Sequence, residues 1–162
     1  MTSPVPELPE NALDQARQLL HAELETTLER VSWSKERADL YPPATPHVPG
    51  AWVDVPTLSR QGNGLVATFP LGFAVDGTAR AQVQRLDALI AILWQRLEAA
   101  KIPTGLLLPA GSTLDVMTAG PEQIDVGGPT TRGLALTVQV PIGPRTLCPT
   151  ALTAPETGDP TT

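Results

Sequence analysis

Two hydrophobic periods follow one another between Leu65 and Ala100, in the stretch LVATFPLGFAVDGTARAQVQRLDALIAILWQRLEAA. The odd positions Leu65, Ala67, Phe69, Leu71, Phe73 and Val75 are all apolar, which is the two-residue repeat of a strand with one buried face. After Asp76-Gly77 the repeat lengthens. Ala79, Val83, Leu86, Ile90, Leu93 and Leu97 recur every three or four residues, with Leu89 and Trp94 widening the stripe. This is the pattern of an amphipathic helix whose polar side carries Arg80, Gln84, Arg85, Asp87, Gln95, Arg96 and Glu98. Pro103 and Gly105 end it after Lys101.

The same reading extends to the rest of the chain. Leu13, Ala16, Leu20, Leu24, Leu28 and Val31 form a helical stripe that starts after Asn11, a side chain suited to capping, and runs to about Arg30. Residues 31–50 have no period and contain prolines at 42, 43, 46 and 49, so they read as a surface connection, with Trp33 and Tyr41 tucked onto the domain. AWVDVP at 51–56 is a short strand, and Arg60-Gln61-Gly62-Asn63-Gly64 supplies an Asn-Gly hairpin turn that pairs it antiparallel with the long strand. Pro70 implies a bulge or an edge segment in that long strand. TLDVMT at 113–118 is a further strand and Ala119 to Arg132 a wide loop. Leu134, Leu136, Val138, Val140 and Ile142 then alternate as the last strand.

The expected order is therefore α-β-β-α-β-β. It describes an α+β, two-layer sandwich: a mostly antiparallel four-stranded sheet covered on one face by two helices. A flexible arm at 1–10 precedes one domain at 11–142, and a Pro/Thr-rich tail follows at 143–162. The uncovered face carries Val66, Thr68, Ala74, Ala135, Thr137 and Gln139. That surface is too pale for a monomer and points to a partner against it or against the sheet edge.

Composition narrows the function. The 162 residues carry a net charge of −6, with eleven scattered basic residues, so no face is built to neutralise the phosphates of nucleic acid. No apolar run is long enough to cross a bilayer, and MTSPVPELPEN lacks the basic-then-apolar order of a secretory signal. One cysteine, Cys148, makes neither an internal disulfide nor a zinc site. His21 and His47 have none of the spacings of metal ligands, and no GxSxG nucleophile motif occurs. Asp54, Asp76, Asp115 and Asp125 lie near strand ends, where turn chemistry accounts for them. GGPTTRG at 127–133 has neither phosphate-loop spacing nor a following helix and reads as a flexible loop. The expectation is a protein without catalytic residues, cofactor or metal.

In this order of elements the chain resembles the tail terminator proteins of long, non-contractile-tailed bacteriophages. The resemblance covers about residues 11–142. It rests on the leading helix, the AWVDV strand with its hairpin to LVATFPLGFAVDG, the helix AQVQRLDALIAILWQRL and the wide hairpin ending in GLALTVQVPI. It implies a non-enzymatic virion subunit, assembled in the host cytoplasm as a hexameric homo-oligomeric ring. Such a ring caps the tail tube protein and joins the tail to the connector or stopper of the head. A head-completion protein is the nearest alternative; a small α+β enzyme and a peptide-binding adaptor using the sheet edge are alternatives from other classes. Physical character alone selects the interface candidates: Arg60 and Asn63 at one loop tip, Gln123 and Arg132 at the other, and Arg85 and Arg96 on the second helix, facing the acidic first helix of a neighbour.

Overall fold

The computed structural model describes residues 10–31, 37–124, 131–143 and 147. Within them the elements run α1 (Ala12–Arg30), β1 (Ala38–Asp39), β2 (Gly50–Val53), β3 (Thr57–Gln61), β4 (Gly64–Val75), α2 (Ala79–Ala99), β5 (Asp115–Ile124) and β6 (Thr131–Ile142). The expected four-stranded sheet is in fact six-stranded and mixed. Its order is β1-β2-β4-β6-β5, with β3 also on β4 and with β1 parallel to β2. Most pairs are antiparallel, and both helices pack on one face, so the two-layer α+β architecture stands.

α1 begins as its sequence requires. The Asn11 side chain accepts a hydrogen bond from the Asp14 amide at 3.0 Å, which satisfies one of the donors a helix start leaves open. Another of those donors, the amide of Ala12, is taken by the carbonyl of Leu147. That residue of the expected tail packs against the core. Thr78 caps α2 in the same manner as Asn11 caps α1. The buried line of α2 is Leu86, Leu89, Leu93 and Leu97. Ala79 and Val83, expected in the stripe, are exposed, because the first turns of α2 run past the end of the packed layer.

β4 is the spine. All along one side it pairs with β6, from Leu65↔Ile142 to Val75↔Arg132. Its other side is shared, with β3 on residues 64–68 and β2 on residues 71–74. The turn reading therefore needs correcting in two respects. The hairpin joins β3, not β2, to β4, and its two-residue tip is Gly62-Asn63, closed by the Gln61↔Gly64 pair, with Gly62 at φ 59°. β2 still pairs antiparallel with β4, further along.

Pro70 also behaves differently from the expectation. It sits in a central strand, and no register shift occurs between β4 and β6. Its carbonyl accepts from the Asp54 amide, so its nitrogen faces that same side, where β3 has ended and β2 has yet to start. The missing donor costs no ladder bond there.

The segment expected as a wide loop is mostly strand. β5 runs on to Ile124 and β6 starts at Thr131, so Thr131-Arg132-Gly133 belong to β6. β5 carries one irregularity, between Val116 and Thr118. Ala67, Phe69, Leu71, Phe73 and Val75 of β4 interleave with Leu134, Leu136, Val138, Val140 and Ile142 of β6 beneath the two helices. Each fully buried Leu or Phe here contributes about 1.5–3 kcal/mol.

Candidate assembly surface

The side chains that fix the frame are worth separating from those that face outward. The sequence reading missed Arg17, which is buried on α1. Its guanidinium donates to the carbonyls of Leu40 at 2.9 Å, Asp54 at 3.0 Å and Val53. It lies over the rings of Tyr41 and Phe69, 5.1 and 5.7 Å from their centroids. Burial lowers the Arg17 pKa from its ordinary value, and Tyr41, Asp14 and Asp54 act against the drop. One residue thus clips α1 to the ends of β1 and β2. Tyr41, expected to be tucked in, keeps 60% of its surface exposed, because its role is to cover the guanidinium from one side. Trp33 lies outside the described residues.

Two further polar residues of α1 act in the same way. The His21 ring meets the Ala38 carbonyl at 2.8 Å through Nε2 and Glu25 at 3.4 Å through Nδ1, which ties α1 to β1. The buried side-chain oxygen of Gln15 accepts from the Leu107 amide at 2.6 Å and anchors the loop after α2.

The six interface candidates are spread over the molecule. Arg60 stands opposite Leu65 and Arg132 opposite Val75, so they occupy opposite ends of β4, about 33 Å apart at about 3.3 Å per residue. Asn63 is at the β3–β4 hairpin tip, near Arg60. Gln123 and Arg132 are cross-strand partners in β5 and β6 rather than loop-tip residues. Arg85 pairs with Asp76 at 3.3 Å, both exposed. Arg96, pictured as meeting a neighbour's acidic helix, meets Glu23 of its own α1 at 2.7 Å. The two helices run antiparallel, which brings these residues level. The shallow depression of about 520 Å³ beside that pair, lined by Glu23, Gln95, Arg96, Ala99 and Ala100, therefore has its charges already matched.

The carboxylates singled out in the sequence do not converge. Asp54 accepts from the Val55 amide at 2.8 Å, Asp76 holds Arg85, and Asp115 opens β5 across from Gln139. Asp125 lies outside the described residues. Among the described residues no three His, Cys, Asp or Glu side chains gather as a metal site would need. No helix among them is long and apolar enough to cross a membrane.

What remains is the uncovered face of the sheet. Strand alternation places Val66, Thr68, Pro70, Gly72 and Ala74 of β4 there, beside Ala135, Thr137, Gln139 and Pro141 of β6. The Trp52 indole lies against Gly72, where an added Cβ would sit 2.2 Å from the ring. Across the seam to β5 the Thr118 and Thr137 hydroxyls hydrogen bond at 2.7 Å. These β4 and β6 side chains are small and uncharged, as suits a surface that packs against protein rather than one that handles a charged substrate.

Neither a protein-family model nor a curated protein matches this sequence. In fold the chain is similar to a chain of a solved structure described as the virion of a native gene transfer agent particle. The TM-score is 0.54 and the identity 15%, and the match covers 78% of this chain and 93% of that one. At that identity the likeness is one of fold.

Proposed function

We propose that this protein is a structural, non-enzymatic subunit of a virion, and specifically a tail terminator: a ring, hexameric in this reading, that caps the tail tube and joins it to the head connector. The observation that carries the proposal is the shared fold, which spans nearly the whole of a chain from a gene transfer agent virion. Two features support it. The order of elements resembles the terminator family, and the β4 and β6 side chains on the uncovered sheet face are uncharged and suited to protein contact. The six-fold count rests on the family resemblance.

The test uses tail tubes assembled without their terminator. Adding the purified protein should stop elongation and leave a ring at one end of each tube in electron micrographs. Tubes that keep growing, with bare ends, would remove the terminator role. Binding to the head connector with no effect on tubes would move the protein to head completion.

A further inference from the structure

The chain contains two asparagines, Asn11 and Asn63, and the fold treats them in opposite ways. The side chain of an asparagine is open to attack by the backbone nitrogen of the next residue. Its fate depends on the freedom of that side chain, on access to the nitrogen and on the bulk of the following residue. Asn11 is protected on each count. Its side-chain oxygen accepts from the Asp14 amide at 3.0 Å, and the Ala12 amide donates to the Leu147 carbonyl at 2.9 Å. Ala12 itself is fully buried.

Asn63 is placed the other way. It is exposed at the tip of the β3–β4 hairpin and is followed by Gly64, which has no side chain to crowd the attacking nitrogen. Beyond its chain neighbours, a Cβ built on Gly64 would meet only the Gln61 carbonyl oxygen, 3.7 Å away, so a ring has room to close there. The Gln61↔Gly64 pair engages this peptide. It is, however, the last pair of a ladder whose β3 side is exposed at every residue, and such a terminal pair opens locally while the core stays folded.

We propose that Asn63-Gly64 is a site of spontaneous deamidation, with hydroxide and water as the reagents. Hydroxide removes the Gly64 amide proton, and the nitrogen attacks Asn63 Cγ. The new N–Cγ bond forms as the Cγ–Nδ2 bond breaks, and Nδ2 leaves as ammonia by taking a proton from water, which returns the hydroxide. Water then opens the succinimide. Opening at Cγ gives aspartate, and opening at the main-chain carbonyl gives isoaspartate, whose main chain runs through the side-chain methylene. Both products add a negative charge to a chain already at −6. Isoaspartate also lengthens the tip by one backbone atom, which displaces the Gln61↔Gly64 pair and loosens β3 from that end. The site is independent of the ring reading above.

The test is peptide mapping by mass spectrometry after incubating the folded protein, and the same chain in guanidinium, at neutral and at alkaline pH. Cleavage after Arg17, Arg60 and Arg80 puts the two asparagines in separate peptides. The mass gain of an amide-to-acid exchange should appear in Gln61–Arg80 of the folded protein, at a rate within about tenfold of the denatured chain. It should quicken as the solution becomes more alkaline. In Met1–Arg17, folding should slow the same change by about a hundredfold or more. Asn63→Ser should abolish the gain in Gln61–Arg80; a gain that persists there belongs to Gln61 and overturns the site. Folding that slows Asn63 as much as it slows Asn11 overturns it as well.

Discussion

The two faces of the sheet are made by alternate residues of the same strands, yet they are built for different ends. On the helix side, Phe69, Leu71, Phe73, Leu136, Val138 and Val140 have no exposed surface. On the other side Val66, Thr68, Thr137 and Gln139 stay partly open, and Trp52 with Val48 is the main cover. Stability is therefore concentrated on one face, which leaves the second face and the sheet edges free to serve contacts. A subunit of the ring proposed above would need this division, because its binding surfaces must stay open.

Substitutions on the two sides should separate accordingly. Phe69→Ala empties the core where α1, β4 and the Arg17 guanidinium meet, and should lower unfolding free energy in urea by about 3–5 kcal/mol. Arg17→Met is next. It removes the donors from three carbonyls, and should cost about 2 kcal/mol and loosen β1 and β2 first, which hydrogen exchange at Ala51–Val53 would reveal. Gly72→Ala tests the open face where Trp52 crowds it. The new methyl must push Trp52 aside, at about 1–3 kcal/mol, with a red shift of tryptophan emission as the indole meets water. Thr137→Val removes the hydroxyl bond to Thr118 on the same face, and should change stability by less than about 0.5 kcal/mol. A loss there as large as that of Phe69→Ala would end the division between the faces.

The sequence made the covered face legible and the rest only in part, for physical reasons. Both helices and the alternation of β4 and β6 announce themselves because burial imposes a period on the residues, and Asn11 marks the start of the first helix; the Thr78 cap of the second went unread. β3 has no such period, since all five of its residues are exposed, and only the neighbouring turn hinted at it. The second half of β5 was hidden by Gly120 and Pro121. Both residues argue against a central strand, but an edge strand tolerates them. β1 is two residues held in a proline-rich connection, paired to β2 and tied to α1 by His21.

Of the site, the pale outward positions were readable, but the placement of charges was not. Arg17 falls four residues after Leu13 and three before Leu20, on the helix's own stripe. That spacing was the available signal that it is buried. Arg96 was read as reaching outward because its partner, Glu23, lies 73 positions away in the chain. Such a pair becomes visible only once the two helices are set antiparallel.

The most direct measurement of the central claim is the mass and shape of the assembled protein, by sedimentation and electron microscopy at rising concentration, with and without tail tubes. The account predicts closed rings of one size, free or seated on tube ends. A protein that stays a single subunit at every concentration and leaves tube ends bare would contradict it.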